Sequence, residues 1–261
     1  MKFSAKVVSL GLLAAAVMFA QDRGFDGPGG HERGFGMEMI GPWGGAPVTG
    51  SPYTAVEVRS FTQALANGNQ IQHQDQTKVY RDSQGRVRTE TVMGPETIGR
   101  TPFTVITIFD PVAGDSIRLD PQHQTAMVRA VKPHTQQEAA GPRHGAGNQS
   151  DVAKEDLGSS LVNGRQAMAT RTTHTIPAGS IGNQQAITTT RTVWMSPDLK
   201  VPLQIVSEDP RWGTTTVTLT NIVQSEPDAA LFQIPAGYTV KTMPAGRGGP
   251  GRGSNGGQLT Q

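Results

Sequence analysis

Apolar and polar residues alternate with a period of two through the central part of the chain. The clearest example covers 214–223, where Val217 and Leu219 alternate with threonines. Similar runs lie at 168–176, 187–195 and 201–206 in the second half, and at 86–93, 103–109, 117–119 and 127–131 in the first. Threonine and branched aliphatic residues pack well on a pleated, half-buried surface. Each run therefore predicts a β-strand.

Short turn sequences separate these runs and predict hairpins. They are Asn67-Gly68, Asp82-Ser83-Gln84-Gly85, Ala113-Gly114-Asp115 and Asn163-Gly164. Such residues tolerate the positive φ that tight chain reversals require. About ten strands at this spacing predict a mainly β protein, an antiparallel meander curving into an incomplete barrel. Helical periodicity is limited to a turn or two near 151–157 and 228–231.

Glycine and proline concentrate at the two ends of the chain, which contains 32 glycines and 18 prolines among 261 residues. The stretches 21–51 and 243–261 show no apolar periodicity and would bury too little surface to offset their backbone entropy. We expect a flexible Gly/Pro-rich leader and a disordered Gly/Arg-rich tail around a β-domain at 52–242. A further segment, 132–151, divides the strands into two sets. It is either a long loop over an opening or a surface excursion.

The N-terminus has the layout of a secretory signal peptide. Lys2 and Lys6 precede an apolar stretch that ends at Ala20, and the chain turns polar at Gln21. This apolar stretch is too short for a stable transmembrane anchor. We expect cleavage of residues 1–20, with an uncleaved anchor as the alternative. The mature protein would be periplasmic or secreted and not an integral membrane protein.

Charge and cysteine content exclude several classes of function. The formal net charge of +2 comes from 23 basic and 21 acidic residues, and cleavage would remove two lysines, which leaves a net charge of zero. A near-neutral chain does not indicate a nucleic-acid partner. The absence of cysteine excludes a disulfide scaffold, a cysteine-ligated metal and a cysteine nucleophile.

Candidate catalytic or metal-binding residues are sparse. None of the six histidines pairs with acids at the spacing of a metal site built on one element. His73 and Asp75 share a strand face, and His174 could reach a neighbouring strand. Ser180 lies in a segment that superficially resembles a nucleophile elbow, but a strand, not a helix, follows it. We predict no catalytic residue, no metal and no cofactor, and a hydrolase would need an unforeseen cluster of histidines and acids.

The segment 208–213 gathers Glu208, Asp209, Arg211 and Trp212 around Pro210. We interpret it as a tight turn between strands, in which Pro210 sets φ and Trp212 folds onto the sheet. A binding site at this turn is the alternative.

Several segments resemble exported bacterial proteins of unknown function. They are Val79 to Arg88, Phe109-Asp110-Pro111, Asp120-Pro121, Trp194 to Leu199, Asp209 to Thr214, and Glu226 to Tyr238. From Tyr53 to Lys241 the layout resembles the LolA/LolB/RseB-like superfamily of periplasmic lipoprotein carriers and sensors. That resemblance implies a curved antiparallel half-barrel whose apolar concave face is covered by helices or loops.

A curved sheet with one apolar face must cover that face, close upon it, or fill it with a ligand. The candidate inward-facing residues are Phe103, Val105, Phe109, Met127, Met168, Ile187, Val193, Leu203, Ile205, Val217 and Leu219. They suit either an adaptable surface for acyl chains or an ordinary core.

Two functional hypotheses follow. The first is a non-enzymatic exported envelope protein that binds a lipid, a lipoprotein acyl chain or another apolar ligand. The second is a structural, interaction or sensor-type envelope protein with a fully packed β-domain and a protein partner.

Overall fold

A computed structural model of the chain describes residues 47–94, 101–131 and 152–243. They form one sheet of twelve strands: β1 Tyr53–Ala64, β2 Gln70–Arg81, β3 Val87–Met93, β4 Phe103–Asp110, β5 Asp115–Asp120, β6 Thr125–Ala130, β7 Val152–Val162, β8 Arg165–Ile176, β9 Ile187–Met195, β10 Pro202–Asp209, β11 Gly213–Val223 and β12 Thr239–Met243. The predicted signal peptide, most of the leader, the segment 132–151 and the tail after 243 lie outside the described residues.

The strand order across the sheet is β12-β6-β5-β4-β3-β2-β1-β11-β10-β9-β8-β7. The predicted mainly β, curved and incompletely closed sheet is confirmed. Its topology departs from a single antiparallel meander in two ways. The strands β1–β6 and β7–β11 form two antiparallel meanders that join where β1 pairs with β11. At one edge, β12 runs parallel to β6. The chain crosses the sheet between β11 and β12, so that β12 reaches the far edge in the same direction as β6.

The two helical predictions have different outcomes. A 3-10 helix at Ala229–Phe232 is present, and the Asp228 carboxylate caps it by accepting a hydrogen bond from the Ala230 amide. The helical turn predicted at 151–157 is wrong, because residues 152–157 belong to β7. There Glu155 lies opposite Arg171 of β8, and strand pairing satisfies backbone groups that a single helical turn would leave unpaired.

The turn predictions are confirmed where strands reverse. At Asn163-Gly164, between β7 and β8, both residues have positive φ, 49° and 76°. A two-residue hairpin turn of this kind requires that conformation. The hairpin is stabilised further by the Asn163 side chain, which donates a hydrogen bond to the Leu219 carbonyl oxygen of β11.

The first hydrophobic core lies on the sheet face that bears Tyr53, Val79 and Val217, which we call the inner face. Residues directly opposite each other on paired strands share a face, and the register extends this face across β1, β2, β10 and β11. The buried residues of this core are Tyr53, Ala55, Val79, Val87, Val162, Ala167, Leu199, Val201, Leu203, Ile205, Val217 and Leu219.

The second core lies on the opposite face, which we call the outer face. There Ile106 and Ile108 of β4 lie opposite Leu119 and Ile117 of β5. Phe232 of the 3-10 helix packs against them, and the Arg86 guanidinium lies 4.9 Å from the centre of its ring. The two cores therefore occupy opposite faces of one sheet, and each has its own cover.

Contacts between distant strands show how strongly the sheet curves. Arg81 ends β2 on the inner face, opposite Tyr53, and donates a hydrogen bond to the Leu199 carbonyl oxygen between β9 and β10. In a flat sheet β2 and β10 would lie three strand spacings apart, or about 14 Å. The β9–β10 connection therefore folds over the inner face and covers the first core.

Candidate apolar binding face

Strand register places nine of the eleven predicted inward-facing residues on the inner face. Val217 lies opposite Ile205, and Ile205 lies opposite Val193 on the next strand. On the other side of the sheet, Phe109 lies opposite Val87, which in turn lies opposite Arg81. The other two are Leu203, which falls at a register shift between β9 and β10, and Met168, whose neighbour Ala167 packs in the first core.

These residues differ greatly in accessibility. Leu203, Ile205, Val217 and Leu219 belong to the first core, and Phe109 is also buried. Val105, Ile187 and Val193 are partly buried. Three are exposed: Phe103 at 48%, Met168 at 43% and Met127 at 39%. The centre of the face is thus filled by the protein's own side chains, and a ligand could contact the face only nearer its β4–β6 side. Whether these residues contact a ligand stays a prediction.

The exposed apolar residues form two groups. On the inner face, Phe103 of β4 lies directly opposite exposed Met93 of β3. We call these two residues, with Val105, the Phe103 patch. In the other group, Met168 of β8 lies opposite exposed Met195 of β9. These two, with exposed Leu161 of β7, form the Met168 patch, which points away from the first core because the strand neighbours Ala167 and Val162 pack in that core.

Polar side chains interrupt the inner face between the Phe103 patch and β11. Glu57 lies there with only 4% of its surface exposed, opposite buried Thr77. The Thr77 and Thr91 hydroxyls are 2.9 Å apart and form a hydrogen bond. The inner face is therefore not one continuous apolar channel.

The sequence analysis did not identify Arg81, which holds the cover of the first core. Its Nε and Nη2 donate to the Ser51 carbonyl oxygen at 3.0 and 2.7 Å, and Nη2 also donates to that of Leu199. Burial lowers the pKa of Arg81 and raises the pKa of Tyr53, whose ring it contacts, to about 12. An arginine at an inward-facing position of β2 was the signal that could have indicated this role.

The histidine and serine candidates are not assembled into a catalytic site within the described residues. His73 lies 2.9 Å from Asp75 on β2, whereas His174 is on β8, five strands away in the sheet. No group of three histidine or acidic residues there could hold a metal ion. Ser180 lies in a turned connection between β8 and β9, as predicted, where Gly179 and Asn183 are hydrogen bonded through their backbones.

The predicted turn between β10 and β11 is present, but the prediction for Trp212 is wrong. Trp212 is 57% exposed, so that most of its surface faces solvent and is not packed on the sheet. Asp209 organises the turn instead, because its carboxylate accepts hydrogen bonds from the Arg211 amide, Nε and Nη2 at 2.7 to 3.0 Å. Burial raises the pKa of Asp209, but the hydrogen bonds from Arg211 outweigh this effect and the pKa is lowered.

Two concavities of the described residues lie away from the eleven predicted positions. One of about 390 Å³ lies between the β7–β8 turn and β11, beside Arg165 and Asn221. The other, of about 470 Å³, is lined largely by threonines and by Glu208 near the β10–β11 turn. Neither concavity is lined by any of the eleven predicted residues. In the described ranges, no helix is long and apolar enough to cross a membrane.

Comparison with known proteins finds similarity only at the level of the fold. No family model matches the chain, and no curated protein matches it. A Pseudomonas aeruginosa MucA/MucB complex matches with 14% identity and a TM-score of 0.41, covering 74% of this chain and 59% of that one. The Mycobacterium tuberculosis lipoprotein LppX matches with 15% identity and a TM-score of 0.30, covering 68% of this chain and 90% of that one. A LolA-superfamily protein from Nitrosomonas europaea matches with 11% identity and a TM-score of 0.25, covering 74% of this chain and 94% of that one.

The matching structures thus include a MucB complex and a LolA-superfamily protein, the kinds of protein that the sequence resembles. The chain spans about three fifths of the length of the MucB-complex chain that it matches. At these identities and TM-scores the likeness concerns the course of the sheet and carries no information about ligand or partner.

Proposed function

We propose that this protein is an exported, non-enzymatic binding protein of the cell envelope that holds a lipidic or other apolar ligand against the open part of its inner face. The supporting observation is that Phe103 and Met93 lie opposite each other on this face and are about half exposed. When a ligand removes such a pair of large apolar side chains from water, the free energy of the system falls, and this favours binding.

The ligand would lie along the sheet surface, since the buried first core already fills the centre of the face. Burial of one large side chain such as Phe103 contributes about 1.5–3 kcal/mol. Met93 suits a conformationally flexible ligand, because the unbranched methionine side chain can adopt several rotamers and so adapt to the groups that contact it.

Binding of the neutral fluorescent probe N-phenyl-1-naphthylamine to the mature protein tests this proposal. We expect Phe103→Ser to weaken probe binding about tenfold, which corresponds to the lower end of that burial energy. Val112→Ser is the matched control, because Val112 is exposed in the β4–β5 turn and does not lie on the inner face. An absence of probe binding, or an equal loss in both variants, would contradict the proposal.

The second candidate is an interaction protein that binds a protein partner and no lipid. The filled centre of the inner face favours it, because Leu203, Val217 and Leu219 already pack against the protein's own side chains. Native mass spectrometry of detergent-free mature protein distinguishes the two. Additional mass that organic extraction removes supports the apolar-ligand proposal. The mass of the polypeptide alone, with recovery of one cross-linked envelope protein, supports the second candidate.

A further inference from the structure

We infer that the apolar ligand is a lipid with an anionic head group, which three cations at the edge of the inner face bind. This inference rests on the proposed function and specifies the chemistry of its ligand. The three cations are Arg118 of β5, Arg129 of β6 and Lys241 of β12.

The register brings these cations around one exposed methionine. Met127 of β6 lies directly opposite Arg118 on one side and Lys241 on the other. Arg129 lies two residues further along β6, on the same face as Met127. With strand spacings near 4.8 Å and about 3.4 Å per residue, all three backbone positions lie within about 10 Å of Met127.

The three cations are available to a ligand. Arg118, Arg129 and Lys241 are exposed. None of them forms an ion pair in the part of the chain that the structure describes. An anion placed among them would gain several weak, additive attractions and no carboxylate would have to be displaced.

The Phe103 patch lies at a distance that suits the apolar part of the same ligand. From Met127 to Phe103 the sheet spans two strand spacings and four residues, or about 17 Å. An extended acyl chain has a comparable length. Val105 lies beside this path on the same face, Asp120 lies at its midpoint on β5, and Thr107 lies opposite Arg118.

The nearest carboxylate by register gives the site a direction. Asp120 lies opposite Thr125, on the Phe103 side of Arg118. A hydrogen bond from His123 lowers the pKa of Asp120, so that it is negatively charged at neutral pH. It repels an anionic head group from the Phe103 end, and the head group therefore lies at Arg118, Arg129 and Lys241.

The experiment compares laurate with 1-dodecanol, which has the same chain length but no charge, as competitors for N-phenyl-1-naphthylamine on the mature protein. We expect laurate to bind about tenfold more tightly at low ionic strength, and this advantage to disappear near 1 M salt. The triple variant Arg118→Gln, Arg129→Gln, Lys241→Gln should bind both ligands equally.

A matched control removes three exposed lysines elsewhere, with Lys78→Gln, Lys154→Gln and Lys200→Gln. It changes the net charge equally and should keep the preference for laurate. Equal binding of laurate and dodecanol by the unmodified protein would overturn the inference and leave the proposed function in place. Failure of both to displace the probe would overturn both. An acidic amphipathic peptide is tested in the same way. If the first triple variant binds this peptide more weakly than the unmodified protein does, but binds laurate equally well, the partner is a protein and the lipid assignment is wrong.

Discussion

The Arg81 guanidinium donates a hydrogen bond to the carbonyl oxygen of Leu199, which lies 118 positions later in the chain. The same guanidinium binds the Ser51 carbonyl oxygen and contacts the Tyr53 ring at 4.7 Å. This one buried side chain therefore connects the start of β1, the end of β2 and the connection between β9 and β10. The cover of the first core depends on it.

Replacement of Arg81 by leucine should lower the free energy of unfolding by roughly 2–4 kcal/mol. The variant leaves the Ser51 and Leu199 carbonyl oxygens without their donors, which is costly for buried groups. Arg81→Lys should lose less, since it keeps the charge but cannot reproduce the planar arrangement of donors. Urea-induced unfolding, followed by tryptophan fluorescence, measures both effects.

Arg171→Leu is the matched control for the Arg81 prediction. Arg171 forms an exposed ion pair with Glu155 at 3.5 Å, and such pairs contribute little to stability. We expect a change of about 0.5 kcal/mol or less. If Arg171→Leu and Arg81→Leu lowered the free energy of unfolding by similar amounts, the buried contacts of Arg81 would contribute no more to stability than an exposed ion pair does.

Gly213→Ala should be strongly destabilising, by roughly 2 kcal/mol or more. Gly213 begins β11 with φ of +98°, and a Cβ there would lie 2.3 Å from the Thr62 carbonyl oxygen of β1. Backbone atoms on both sides would have to move. The thermal unfolding midpoint of the variant measures this cost.

Gly179→Ala separates the steric effect at Gly213 from the effect of φ. Gly179 has a similar positive φ of +82°, but no atom would lie within 4 Å of an added Cβ. The free energy of unfolding of this variant should fall by only about 1 kcal/mol, which is the cost of holding an alanine in the left-handed conformation. If the two alanine variants were equally stable, the close approach of Gly213 to β1 would be wrong.

The protein should lose stability at alkaline pH because of Tyr53. Burial raises the pKa of Tyr53 to about 12 in the folded protein, against 10.0 for an ordinary tyrosine side chain in water. The folded state thus favours the neutral hydroxyl, and stability is complete below pH 10 and falls as the pH rises towards 12. The expected loss is about 2–3 kcal/mol.

Tyr53→Phe should remove this part of the alkaline sensitivity. Denaturant titrations of both proteins between pH 9 and pH 12 give the difference, and the ionisation of the other groups cancels between them. Parallel stability curves for the two proteins would mean that the Tyr53 pKa is not raised.

Asp209→Asn should weaken the turn between β10 and β11. The Asp209 carboxylate accepts hydrogen bonds from three nitrogens of Arg211, and an amide oxygen cannot replace both carboxylate oxygens. We expect a loss of roughly 1.5–3 kcal/mol at neutral pH.

The pH dependence of the Asp209 effect follows from its lowered pKa. The stability that the carboxylate contributes is present above the ordinary aspartate pKa, and it is lost as the pH falls through the lower folded-state value. Unfolding experiments at pH 7 and pH 3 should therefore show a smaller difference between the native protein and the variant at pH 3. A difference that is the same at both values would contradict this account.

Alternation was enough to predict β3 to β6 and β8 to β11, and with them most of the residues that share the inner face. Val217, Ile205 and Val193 lie on three strands, yet their spacing in the sequence indicated their common face, because side-chain direction repeats every two residues in any strand. The same local signal failed at β7, where exposed polar residues such as Glu155 carry no apolar alternation. It also missed the parallel pairing of β12.

Tertiary structure alone decided which parts of that face are covered. Val217 and Phe103 follow the same alternating pattern, but the first is buried and the second is half exposed. The difference arises because the cover is built from residues far away in the chain, including Leu199 held by Arg81. Local periodicity determines the direction of a side chain relative to its own strand. It contains no information about which distant segment will pack upon that side chain, and so the core and the candidate binding surface could be separated only in the folded molecule.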